Sequence, residues 1–169
     1  MADAFKVIIP DTDIRFNASL DYWMGQADCH AEGYRQAAEV LLQHFLDDPT
    51  PEKGSVLVLP ILFLFRHYIE LRCKDIIVYG QALLGQQAAW PIGHDLRKWW
   101  EQAKKLYRES LGTNLNGQSE KTHTCILEIS ALDPDSTSFR YPYDKNGQPI
   151  FNTFAKMREL ERASVVELS

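Results

Sequence analysis

The sequence is short of the features that make chemistry easy to read. Its three cysteines, Cys29, Cys73 and Cys125, are odd in number and far apart, and no CxxC pair exists. Neither a disulfide framework nor a zinc knuckle is readable, and cysteines without disulfide spacing fit a reducing, cytoplasmic setting. Cations are outnumbered: 18 Lys and Arg stand against 23 Asp and Glu, a net charge of -5. That balance argues against a general nucleic-acid coat protein, whose affinity needs accumulated Lys and Arg, but it leaves room for a local basic face. The N-terminal Met-Ala-Asp-Ala-Phe-Lys lacks the basic start and apolar core of a signal peptide. The most apolar stretch, Val56 to Phe65, covers about half a membrane span before it meets Arg66 and His67, so it reads as a core helix and no membrane contact is expected. No Walker loop, GxSxG, HExxH or dinucleotide fingerprint is present. His30, His44 and His123 lack the spacing of metal partners. No metal and no cofactor are therefore expected. Repeats and low-complexity segments are absent as well.

What is present suits one domain over residues 1–169, with a core from about 17 to 167. Hydrophobic residues make up 45% of the 169 and charged residues 24%, enough apolar surface for a real core. Phe5 to Pro10 reads as a short extended segment. From about Asn17 to Asp47, apolar residues such as Leu20, Trp23, Tyr34, Ala38, Leu41, Leu42 and Phe45 recur at helical spacing. Asp47 to Pro51 breaks the chain. A second helix starts near Glu52 or Lys53. Pro60 either kinks it or opens a new helix that runs to about Gly80. That helix is apolar all round and is expected at the domain centre. After a loop from Gly85 to Gly93, His94-Asp95-Leu96 opens a third helix to about Ser110. A fourth runs from about Ser119 to Leu132. Asn146-Gly147, flanked by Tyr143 and Ile150, signals a hairpin-like loop over residues 139–150. A last amphipathic helix covers about Asn152 to Glu167. The expectation is a mostly α chain, an up-and-down bundle of four to five helices.

Four groups of residues carry candidate chemistry. Arg66, Glu70 and Lys74 are four apart and form one stripe, with His67 beside Glu70. As a site, Arg66 and Lys74 would hold a phosphate while His67, tuned by Glu70, acts as acid or base. As structure, the Arg66–Glu70 and Glu70–Lys74 pairs satisfy charges on a buried helix. Asp95 favours the positive end of the third helix and His94 is placed to bond across to the long helix. The pair could also act as a base. Arg140, Tyr141, Pro142 and Tyr143 lie in an irregular segment, where Arg140 would bind a phosphate and the tyrosines, Tyr143 included, would stack on a base. Alternatively Arg140 pairs with Glu70 or Asp95 and closes the bundle. Finally, Arg97, Lys98, Lys104, Lys105 and Arg108 interleave with Trp99, Trp100 and Tyr107, a pattern of nucleic-acid surfaces. Of the two adjacent tryptophans, one is expected in the core and the other at an interface.

Three segments in order, Leu59 to Lys74, then Gly93-His94-Asp95-Leu96, then Phe139-Arg140-Tyr141-Pro142, resemble the HEPN superfamily of small helical domains from prokaryotic nucleotide-handling and defence systems. The resemblance spans about residues 20 to 165. It implies a helical bundle that is commonly a homodimer, in a defence or toxin–antitoxin setting. It also implies binding of RNA, or of a partner such as a nucleotidyltransferase. Many members of the family are RNases in which four to six residues separate an arginine from a following histidine. Here Leu71, Arg72 and Cys73 follow Arg66 at those positions, and Lys145, Asn146 and Gly147 follow Arg140. The family's catalytic pair does not carry over. What remains is a displaced, metal-independent site of Arg66, His67 and Arg140, with Glu70 behind it, or a module that binds without catalysis.

Overall fold

The computed structural model describes residues 27–113 and 118–150, and these are mostly helical. The extended segment expected at 5–10, the first ten residues of the first helix and the last helix at 152–167 lie outside the described residues.

Four helices are seen: α1 (Ala27–Asp47), α2 (Pro51–Leu83), α3 (Leu96–Leu111) and α4 (Gln118–Leu132). Thr50 caps α2, its hydroxyl accepting from the Lys53 amide at 3.3 Å, and Pro51 occupies the first turn, where it lacks only a hydrogen that no helix partner would use. The helix thus starts at Pro51 rather than at 52 or 53. It also runs through Pro60 without ending, so residues 51–83 form one element of 33 residues. Proline frees the carbonyl four residues back. Here that is Val56, and both Val56 and Pro60 are exposed, so the freed oxygen faces water rather than the core. By length and composition α2 is also long and apolar enough to cross a membrane. Its middle nevertheless buries Arg66, Glu70, Lys74 and Asp75.

α1 folds back antiparallel on α2. The Phe45 ring lies against Gly54, Ala38 and Leu42 pack with Ile61 and Phe65, and Tyr34 meets His67. α3 behaves differently. Lys74 reaches Gly93, just before α3, while Gly80 lies against Leu106 near its end. The two helices therefore advance in the same sense, and residues 84–95 run back along α2 to allow it. This departs from the strict alternation of an up-and-down bundle. Gly80 permits the approach, because a Cβ there would sit 2.9 Å from the Leu106 Cβ. α4 then returns toward the middle of α2, with His123 at Trp100 and Asp133 at Arg66.

The main core joins Leu62, Cys73 and Ile77 of α2 to Trp99, Trp100, Ala103 and Leu106 of α3, Ile126 and Ile129 of α4, and Phe139 beyond it. Both tryptophans are core, which corrects the expected division between them. Neighbouring helical positions point about 100° apart, and each indole finds its own partner. Trp99 donates to the Gly93 carbonyl at 3.3 Å and Trp100 to His123 Nδ1 at 2.9 Å. Beyond Phe139 the chain forms a tight hairpin. Tyr143 bridges Pro149, and the Asp144 carboxylate accepts from the Asn146 and Gln148 amides.

Candidate functional site

The charged stripe of α2 faces inward. Arg66 is fully buried and its guanidinium is engaged on three sides: Nη1 donates to Glu70 Oε2 at 2.9 Å, Nη2 to the His94 carbonyl at 2.7 Å, and Nε to the Asp133 carbonyl at 3.0 Å. The Asp133 carboxylate is equally buried. Its Oδ2 lies 3.2 Å from Arg66 Nε, and its Oδ1 accepts from the amides of Thr137 and Ser138 at 2.7 Å each. Asp133 thereby ends α4, neutralises Arg66 and shapes the turn toward Phe139.

Glu70 is the second centre. It receives Arg66, Lys74 Nζ at 2.8 Å and His94 Nδ1 at 2.9 Å. Burial pushes its carboxyl up, but the hydrogen bonds from Lys74 and Arg66 outweigh burial and hold it below the usual carboxylate range. Lys74 also donates to the Gly93 carbonyl at 2.8 Å and has the rings of Trp90 and Trp99 near its ammonium. Gly93 adopts φ +104, which turns that carbonyl toward both Lys74 and Trp99 and which an L side chain rarely tolerates. Asp95 caps α3 through the Lys98 amide at 3.0 Å. The polar set thus clasps α2, the start of α3 and the end of α4. Its ion pairs are those of the charge-satisfying reading of this stripe.

His67 points elsewhere, as one helical step requires. It is half-buried, edge-on to Tyr34 at 4.4 Å and stacked on Phe63 at 5.9 Å. Burial depresses its basicity and outweighs the opposing pull of Glu70, so the ring stays neutral below the ordinary histidine range. Arg140 is exposed. It pairs with neither Glu70 nor Asp95, but donates from Nε to the Ser136 carbonyl at 2.7 Å and lies over the rings of Phe63 and Tyr141. The structure brings His67 and Arg140 to the same phenylalanine and turns Arg66 away from both. Tyr143 and Arg97 are exposed at separate places, in the hairpin and on α3.

Sequence reasoning passed over three participants. Asp133 follows directly on the fourth helix, and nothing in its neighbourhood marks it as the partner of Arg66. His123 and His30 lack the spacing of metal partners and carry no other local signal. His123 accepts the Trp100 indole hydrogen, and His30 lies edge-on to Tyr34 at 5.6 Å. Among the described residues no group of three His, Cys, Asp or Glu side chains could hold a metal ion. Comparison with protein-family models, curated proteins and solved structures found no match for this chain.

Proposed function

We propose that the protein is a HEPN-like binding module of a prokaryotic, cytoplasmic defence or toxin–antitoxin type system, and that it engages RNA rather than cleaving it. The observation that carries this reading is the outer side of α3. Arg97, Lys98, Lys105 and Arg108 are exposed there on a chain whose net charge is -5. Lys104 and Lys105 have Glu101 and Glu109 as partners, but no carboxylate among the described residues pairs with Arg97, Lys98 or Arg108. Cations left free on one helix suit a ligand with regularly spaced negative charge. Binding of a labelled RNA should weaken steeply with added salt, and reversing Arg97 and Arg108 to Glu should weaken it further and flatten the salt dependence. Salt-independent binding, or no effect of the reversal, would sink the reading.

The RNase alternative has a direct test of its own. Incubation with total RNA, beside Arg66→Ala and His67→Ala, should give the same background for all three proteins. Loss of cleavage in His67→Ala, with its thermal unfolding unchanged, would restore catalysis. A second reading, a homodimer or partner-docking module, is favoured by the apolar residues α2 leaves outside, Val56, Tyr79 and Leu83, each more than half exposed. Measurement of mass in solution, with Val56→Asp beside the wild type, decides it.

A further inference from the structure

A strip of rings crosses three parts of the chain. His30 and Tyr34 of α1, His67 and Phe63 of α2, and Arg140 and Tyr141 beyond α4 touch in sequence. The centroid separations are 5.6, 4.4 and 5.9 Å along the four rings. The Arg140 guanidinium then lies 5.7 Å from the Phe63 ring and 5.3 Å from the Tyr141 ring. The middle of the strip is half-buried, but its two ends are open, with His30, Arg140 and Tyr141 exposed.

Arg140 gives this strip its charge, as Arg97, Lys98 and Arg108 do for α3. Arg35, Lys53, Arg66, Lys74, Lys104 and Lys105 each have a carboxylate in reach. Arg140 has none among the described residues. Its Nε and Nη2 go to one backbone carbonyl, that of Ser136, which leaves Nη1 over and the full positive charge uncompensated. An uncompensated guanidinium beside two aromatic rings brings a phosphate donor and stacking surfaces to one place. Among the described residues the strip itself carries no carboxylate to pair with a cationic ligand. The neutral imidazole of His67 and the hydroxyl of Tyr34 add hydrogen-bonding groups of the kind that read the edge of a base.

We infer that the His30–Tyr34–His67–Phe63–Arg140–Tyr141 strip takes unpaired bases of an RNA strand, with Arg140 on the adjoining phosphate. This deepens the RNA-binding reading and rests on it. Base faces are hidden in a duplex and free in a single strand, so a ring strip discriminates between the two, whereas the cations of α3 respond to phosphate in either form.

The test is a titration of the full chain with a labelled single-stranded RNA of mixed sequence and with the same RNA annealed to its complement. The wild type is expected to prefer the single strand. Tyr141→Ala should lower that affinity about tenfold, the loss of one stacked base, Tyr141→Phe should leave it unchanged, and Arg140→Lys should fall between wild type and Arg140→Ala. Duplex binding should hold in all four. The pair Arg97→Glu with Arg108→Glu should weaken single strand and duplex alike. Thermal unfolding of each variant, expected within a few degrees of wild type, separates lost contact from lost fold. Equal single-strand affinity for wild type, Tyr141→Ala and Arg140→Ala, with the α3 reversal still weakening binding, overturns the strip and spares the RNA reading. Wild type that binds neither RNA overturns both.

Discussion

Arg66 and Arg140 stand in adjacent polar regions of one small protein and live under opposite rules. Arg66 is wholly inside, meets two carboxylates and gives a hydrogen bond to each of three chain segments. Arg140 is outside, meets a single carbonyl and two rings, and has no carboxylate among the described residues. A buried guanidinium must be neutralised and hydrogen-bonded or the fold does not tolerate it. An exposed one can stay uncompensated because water screens it. The lesson is that the motif most conspicuous in the sequence has its binding capacity consumed by the fold, and the less conspicuous arginine keeps its own.

The comparison breaks most visibly at Arg66. Arg66→Ala leaves Glu70 and Asp133 buried beside each other's neighbourhood without their shared cation, and should cost about 3–5 kcal/mol. Chemical denaturation checks it. A loss no larger than that of an exposed pair would mean the clasp is solvated and open. Next in size is Gly93→Ala. A side chain at φ +104 is strained by about 1–3 kcal/mol, and relief of that strain swings the carbonyl away from Lys74 and Trp99. The same melt, together with a shift in tryptophan emission, reports it.

Acid sharpens the contrast by timing. Burial holds His67 below the usual histidine range, and Glu70 lies below the usual carboxylate range because its cationic partners outweigh burial. In both cases the unfolded chain binds the proton first, so stability falls as pH drops. The ring side should respond below about pH 6.5 and the clasp only below about pH 4.3. His67→Phe should abolish the first decline and preserve the second in a series of melts across pH. Two unchanged declines would show that the first belongs to another group. The smallest effect is expected at Arg140→Ala, a change of about 0.5–1 kcal/mol for an exposed cation–π contact. A loss as large as that at Arg66 would make Arg140 a structural residue and close the distance between the two regions.

Much of this architecture was readable in advance. Four helix positions and the Asp95 cap follow from local rules of periodicity and capping, and the Arg66–Glu70 and Glu70–Lys74 pairs are one of the two readings that the four-residue spacing allows. The Asn146-Gly147 turn follows from local rules too. The unread parts depend on long-range placement. Continuity through Pro60 depends on which side of α2 faces water. The parallel course of α3 depends on the path of residues 84–95 and on the bare surface of Gly80. Asp133 is 67 positions from Arg66, and no local pattern announces that pairing. The place of His30 is not legible locally because its partner ring, Tyr34, gains meaning only when His67 arrives from another helix.

The clasp at Arg66 also sets an order of events. It ties residues 28 and 67 positions apart in the chain, and such closures are slow to meet because loop entropy is lost before any contact is gained. The α1–α2 hairpin, joined by three residues, needs no such closure. Folding is thus expected to begin at that hairpin and finish when His94 and Asp133 lock onto Arg66, so that weakening the clasp speeds unfolding far more than it slows folding. A protein so arranged loosens first where the start of α3 and the end of α4 meet α2, leaving its helical hairpin as the last part to come undone.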